Sequence, residues 1–308
     1  MERKFLLSHQ QDRKISNPSR TGGSGLKNQT HIRILVCLFS FLAISLISCQ
    51  SSEVSSFIKQ SESQPNASEP LLWWTPKPGQ LVQIQYAGEI DLTVQAEIFN
   101  LDLFETTPED IQSLHSRNIK VICYLNAGAW ENWRPDSDDF PRAVIGKKYQ
   151  GWPGEYWLDI RQIDVLKPIL TARLDLCAEK GFDGVDPDNL DGYMNRTGFP
   201  LTYEDQLNFN RWLAAEAHQR HLAIGLKNDP DQADDLVMDF DWITTESCFF
   251  EGWCEMLEPF LQAGKPVFAI EYTDESNQFY EYCNTALGQV INPILKHRAL
   301  DAWRETCP

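Results

Sequence analysis

The feature that most constrains this chain is an alternation. From about Leu71 onward, short apolar runs ending in polar residues are separated by amphipathic stretches. The runs are Leu81–Tyr86, Glu97–Leu103, Lys120–Asn126, Tyr156–Ile160, Gly184–Asp188, Ala223–Lys227, Trp242–Glu246 and Val267–Tyr272. Between several of them lie helix signals. Thr107-Pro-Glu-Asp110 reads as an N-cap followed by proline at the first helical position, and Thr202-Tyr-Glu-Asp205 as a cap opening a helix through His221. Val165–Lys180 reads as a helix closed by Gly181, and Leu257–Ala263 precedes a second stop at Gly264. Strand–helix alternation is the pattern of a parallel sheet, because each parallel step needs a crossover. Eight such strands in about 235 residues match an α/β fold of the (β/α)8 TIM-barrel type in a single domain over 71–308. A doubly wound open sheet is the rival, and no GxGxxG or Walker loop favours it. The run Val290–Arg298 reads either as a ninth strand or as the true last one.

Polar residues gather where these strands end: Asp102, Asn126, Asp159, Asp186, Asp188, Lys227, Asn228, Glu246 and Glu271. In a barrel those ends converge on one mouth, where active sites are built. The densest stretch, Phe182-Asp-Gly-Val-Asp-Pro-Asp-Asn-Leu-Asp-Gly-Tyr193, crowds mutually repelling carboxylates. A calcium loop is a poor fit, since Leu190 stands at a ligand position and Asp191 where glycine is required. Zinc lacks its CxxC or HxxxH spacing. No metal or cofactor is therefore expected. Proton transfer needs two carboxyl groups flanking a scissile bond, one ionised and one protonated. Asp186 and Asp188 share one strand face. Lys227 and Arg161 are the candidate cations, and Glu246 and Glu271 the candidate partner acids, which the residues alone leave unranked.

Several of the ten Trp fall in polar loops: Trp73, Trp74, Trp130, Trp133, Trp152, Trp157 and Trp253. Indole beside acids suits stacking on the apolar face of a pyranose. Ala129-Trp-Glu-Asn-Trp-Arg134 is the expected binding loop.

The chain carries 27 Lys+Arg against 44 Asp+Glu, a net charge of −17. Residues 50–308 hold 20 of the basic and 42 of the acidic ones, which argues against a nucleic-acid partner. The N-terminus is different in kind. Basic residues ending at Arg33 precede an apolar run, Ile34–Ile47, of about 14 residues, short for a membrane span and suited to a signal peptide. It ends in Leu46-Ile-Ser-Cys49, which resembles a bacterial lipobox with Cys49 as the lipidation site. The expectation is a signal peptide over 1–48, a disordered tether over 49–70, export, and membrane association only through an N-terminal lipid. Six cysteines remain beyond Cys37 and Cys49, and six allow 15 pairings. Cys248 with Cys254, flanking a short loop, is the best pair; Cys283 with Cys307 is a second, and Cys123 reads as a core residue of its strand.

The ordered pieces Val121-Ile-Cys-Tyr-Leu-Asn-Ala-Gly128 with Trp130 and Arg134, Gly151-Trp-Pro-Gly-Glu-Tyr-Trp-Leu-Asp-Ile-Arg161, Gly181-Phe-Asp-Gly-Val-Asp-Pro-Asp-Asn-Leu-Asp-Gly-Tyr193, Gly225-Leu-Lys-Asn228, Glu246-Ser-Cys248 and Lys265-Pro-Val-Phe-Ala-Ile-Glu-Tyr272 resemble glycoside hydrolase family 114, the endo-α-1,4-polygalactosaminidase-like TIM barrels. The resemblance implies hydrolysis of α-1,4 bonds in galactosamine-rich polysaccharide, with Asp188, in the Pro-Asp-Asn segment, and Glu246 as the catalytic acids. The flanks of Glu246, Thr245-Glu-Ser-Cys248, depart from the family's Asn-Glu-Gln-Cys-like segment. Asp102, Tyr124, Asn126, Trp130, Arg134, Trp157, Asp159, Asp186, Asn189, Lys227, Asn228, Glu271 and Tyr272 are the expected substrate-binding residues. De-acetylated galactosamine is cationic, so an acidic mouth attracts such a polymer. A monomer is expected, and the alternatives are a non-catalytic glycan-binding lipoprotein or a glycosidase for another amino-sugar polymer.

Overall fold

The computed structural model describes residues 73–275 and 277–308. The expected signal peptide and Cys49, with the tether up to residue 70, lie outside the described residues. Eight parallel strands make the barrel: β1 (Val82–Gln85), β2 (Ile98–Asp102), β3 (Lys120–Asn126), β7 (Gly184–Asp188), β8 (Ala223–Lys227), β9 (Trp242–Glu246), β10 (Val267–Tyr272) and β11 (Ile294–Lys296). A ninth, β12 (Arg304–Thr306), runs antiparallel to β11 and brings the sheet back towards β1. There Gln83 Nε2 donates to Ala302 O at 2.7 Å, and Arg304 donates to Val82 O and Gln95 O. The sheet is a nearly closed barrel.

One expected strand is misplaced. Tyr156–Ile160 is not part of the barrel: β6 (Glu155–Leu158) pairs antiparallel with β4 (Ala129–Glu131) and β5 (Ile145–Lys148) in a separate three-stranded sheet inserted between β3 and β7. Its place in the barrel is taken by β11, from the run Val290–Arg298. Alternation of apolar residues is the same for a strand in either sheet.

The helices follow their sequence signals. Thr107 and Thr202 each close a reciprocal capping box, with Asp110 and Asp205, at the start of α1 (Pro108–Ser116) and α3 (Tyr203–Gln219). Between them α2 (Ile163–Lys180) ends on Gly181 in the left-handed region.

Strand parity divides the core. Val82, Ile84, Ile98, Ile122, Ala223, Trp242, Phe268, Ile270 and Ile294 fill the barrel interior, and the intervening residues pack against the helices. Trp242 fits because small residues face it. A Cβ on Gly225 would lie 2.3 Å from its indole nitrogen. Cys123 is a buried core residue of its strand, as expected, and is also disulfide-bonded. Lying between the inward residues Ile122 and Tyr124, it faces the helix layer and forms a disulfide with Cys177 of α2. The pairs Cys248–Cys254 and Cys283–Cys307 are both formed. Three disulfides among the described residues belong to a chain folded in an oxidising compartment.

Candidate active site

Inward residues at the C-terminal ends of the strands build the mouth. Lys227, at the end of β8, is 4% exposed, and its ammonium bonds Asp188 Oδ1 at 2.9 Å and Glu246 Oε2 at 3.2 Å. The two acids end β7 and β9, on either side of β8, and their side chains are 20% and 29% exposed. Both therefore reach the opening, while the lysine lies beneath them.

Asp188 is heavily supported. Tyr124 Oη donates to its Oδ2 at 2.8 Å, and the Asn189 N–H to its Oδ1 at 2.9 Å. Burial opposes its charge, but the Lys227 ammonium and these donors outweigh burial and hold its carboxyl below the usual range. Burial pulls Lys227 the other way, and the charges of Asp188, Glu246 and Asp186 win, raising its pKa so that it stays an ammonium. Glu246 accepts a hydrogen bond from Tyr272 Oη, and its backbone N–H is received by Asn228 Oδ1 at 2.9 Å.

One level deeper sits Asp186. It accepts from Asn100 Nδ2 at 2.6 Å, and burial pushes its pKa up to about 6 against the pull of Lys227, Asn100 and Thr244. It is 1% exposed, so its charge acts on the mouth through Lys227 and not by touching a ligand.

The residues that follow the three central side chains share an uncommon backbone. Asn189 (φ 63°), Asn228 (φ 53°) and Ser247 (φ 61°) all lie in the left-handed region, as does Asp229 (φ 51°). Such residues cost about 1–3 kcal/mol each unless surroundings hold them. Here Asn189 Nδ2 donates to Asn126 Oδ1 at 3.1 Å, and Ser247 Oγ bonds Glu275 at 2.5 Å. Asn126 Oδ1 also receives the Ala129 N–H at 2.8 Å. The β3 turn packs so closely that a Cβ on Gly128 would lie 1.7 Å from Asn189 O, which explains the glycine of the Asn126-Ala-Gly128 motif.

Not every expected residue belongs to this cluster. Arg134 is buried between Asp102 at 2.7 Å and Glu131 at 2.6 Å, so neither it nor Asp102 is open to substrate. Their buried contacts tie the segment after β4 to the end of β2. Glu271, between the inward Ile270 and Tyr272, faces the helix layer, where its carboxylate accepts the Phe249 and Phe250 N–H groups. Of the two candidate partner acids, only Glu246 reaches the mouth. Asp159 is engaged by Arg161 at 2.7 Å, and the cation that contacts both Asp188 and Glu246 is Lys227.

The aromatic expectation divides likewise. Trp157 lies under Tyr149, ring centroids 4.8 Å apart, while Trp130 donates to Ser137 O at 2.9 Å and packs on the core. Trp73 bonds Asp241, before β9, and Trp74 lies beside Lys120, the first residue of β3. Both therefore sit at the opposite end of the barrel from the mouth. Two residues went unread in the sequence. Tyr86 stacks on Tyr124 at 4.0 Å, and its position at the end of an inward-facing apolar run was the available signal. Tyr149 faces Asp191, Asp188 and Glu246, whose charges add to burial in raising its phenol pKa. It stands just beyond β5, where no periodicity marks it.

A parallel barrel whose mouth presents two carboxylates from neighbouring regions of one sheet is the architecture of two-carboxylate glycoside hydrolases. The profile of glycoside-hydrolase family GH114 matches residues 63–308, and the chain belongs to that family. The crystal structure of Aspergillus fumigatus Ega3 in complex with galactosamine is 40% identical, with a TM-score of 0.72, covering 76% of this chain and 97% of that one. The glycoside hydrolase domain of PelA from Pseudomonas aeruginosa shares the fold at 17% identity and a TM-score of 0.59, covering 75% of this chain and 99% of that domain. An uncharacterized protein of Deinococcus radiodurans is 24% identical over 204 residues, a match spanning 59% of this chain and 65% of that protein's length.

Proposed function

We propose that the protein is an endo-acting hydrolase of α-1,4 bonds in galactosamine-rich polysaccharide, with Asp188 as nucleophile and Glu246 as general acid. The observation that carries the reading is the single ammonium of Lys227 under both carboxylates. Two oxygens bound to one ammonium at these distances lie below the ~6.5–9.5 Å of inverting enzymes, and at the tetrahedral angle of its donors they stand about 5 Å apart, as in retaining ones. A retaining double displacement follows. Asp188, kept ionised, attacks the anomeric carbon while Glu246 gives its proton to the leaving oxygen. Water then enters, Glu246 takes its proton, and the glycosyl–Asp188 ester is cleaved. Lys227, Tyr124 and the Asn189 N–H hold Asp188 in place and stabilise the carboxylate as it leaves.

Galactosamine in the related Ega3 complex, the acidic mouth and the net charge of −17 support a cationic polymer as substrate. Tyr149 over Trp157 offers the ring face for a sugar. The lipobox-like Leu46-Ile-Ser-Cys49 supports export and attachment to a membrane through Cys49. Incubation with de-acetylated polygalactosamine, polyglucosamine and neutral polymers, followed by a reducing-end assay, tests the activity. Release from the first polymer is expected. No release from any of them would leave a glycan-binding protein, and preferential release from another amino-sugar polymer would change the substrate.

A further inference from the structure

The three side chains at the mouth leave the barrel on three separate turns, and a polar linkage behind the sheet joins those turns. Asn210 lies in the middle of α3 and is fully buried. Its amide nitrogen donates twice, to Leu190 O at 3.1 Å in the turn after Asp188 and to Asp229 Oδ2 at 3.0 Å in the turn after Lys227. Gln206, one helical turn earlier, donates to Asn210 Oδ1 at 2.8 Å and sets which way the amide points. From the β8 turn the linkage continues to the third side chain, because Asn228 Oδ1 holds the Glu246 N–H at 2.9 Å. Asn228 and Asp229 are consecutive left-handed residues, φ 53° and 51°, a conformation that persists only when side chains over-determine it.

We propose that Asp229 is a positioning residue for glycoside hydrolysis: its hydrogen bond to Asn210 clasps the turn after β8 to the turn after β7 and thereby fixes the Lys227 ammonium between Asp188 and Glu246. The inference rests on the assignment of those two acids.

Burial favours a neutral Asp229, while the clasp itself, a donor on its carboxyl, opposes that shift. Its carboxyl is fully buried, and Oδ1 has no hydrogen bond of ordinary geometry. The titratable groups facing it are Asp191 from the turn after β7, Tyr193 just beyond, Tyr203 from the start of α3 and Asp231 on its own turn, all acids or phenols. Burial first, then the charges of Asp191 and Asp231, push its pKa up to about 8 against the hydrogen bonds of Tyr193 and Asn210. An acid whose pKa is raised on folding stabilises the native turn fully below its unfolded value of about 4. That contribution is lost as pH rises towards about 8. Above that value the turn carries a buried charge that the Asn210 and Tyr193 donors offset only in part, and its hold on Lys227 is expected to weaken.

The test compares the parental enzyme with Asp229→Asn and Asp229→Ala on de-acetylated polygalactosamine, recording kcat, KM and the profile of kcat/KM from pH 5 to 9.5, with near-ultraviolet circular dichroism as the folding control. A carboxamide preserves the acceptor for Asn210 and does not ionise. Parental kcat/KM is expected to fall on the order of tenfold per pH unit above about pH 8, with Asp229→Asn holding within about threefold of its own optimum there. Using one polymer in every arm removes the substrate amine's own titration from the comparison. Asp229→Ala is expected to lose at least about tenfold in kcat at pH 6 with little change in KM. If it does not fold, the Asp229→Asn profile decides alone. An Asp229→Asn profile that superimposes on the parental one, or a folded Asp229→Ala with parental kcat, overturns the clasp. Asp188→Asn in the same assay separates the two ideas: parental turnover there removes the catalytic assignment, whatever Asp229 does.

Discussion

Asp188 and Glu246 end different strands of the barrel and meet on one buried nitrogen, the ammonium of Lys227, at 2.9 and 3.2 Å. The lysine is thus the hinge of the site's electrostatics. It keeps Asp188 ionised against burial and sets how far apart the two acids stand.

Replacing it shows both effects. Lys227→Met leaves two acids, with Asp186 below, facing each other without a cation. A fall in kcat of about 10²–10³-fold is expected, the usual consequence of losing one charge-stabilising group. The ammonium also lowers the Asp188 pKa, so its loss moves the acid limb of kcat/KM to higher pH. A pH–rate profile of the variant reads both.

The short reach between the carboxylates fixes the product. The first sugar released by an enzyme of this geometry carries the α configuration of the bond it came from, and proton NMR within the first minutes, before mutarotation, detects it. An initial β product would require the wider separation of about 6.5–9.5 Å that admits a water between acid and base.

Charge attraction predicts a salt dependence. With the chain at −17, kcat/KM for a de-acetylated polymer should drop several-fold, on the order of tenfold, between low and about 0.2 M ionic strength. The N-acetylated polymer, which is neutral, should show no such drop at equal chain length. Equal sensitivity for both would remove electrostatic recruitment from the mechanism.

The Cys123–Cys177 bridge ties β3 to α2 beneath the helix layer. Replacing both cysteines with alanine should lower stability by about 2–5 kcal/mol in denaturant titration. KM should not change, since neither sulfur faces the barrel interior.

How much of this was legible beforehand follows from strand parity. Asp186 and Asp188 stand two residues apart and share a face, and the polar ends of β3, β8 and β9 mark a common mouth without any coordinates. The same rule, carried one step further, would have turned Glu271 and Cys123 outward, because each is flanked by two inward residues. Periodicity failed at Tyr156–Ile160 for a different reason: a short, mostly buried run reads alike whether its neighbours are parallel or antiparallel. Arg134 looked like a ligand because it is charged and lies in an aromatic loop. Only the fold shows Asp102 and Glu131 closing on it. The clasp through Asn210 was beyond reach, since nothing in a helix sequence tells which buried amide spans two turns of a distant sheet.

Turnover of Asp188→Asn and Glu246→Gln on de-acetylated polygalactosamine, with circular dichroism confirming native folds, probes the assignment of the two acids at its root. Each variant should release reducing ends at least about a thousandfold more slowly than the parental enzyme. A folded variant of either kind cleaving at the parental rate would mean that the pair gathered on Lys227 is not the one that breaks the bond.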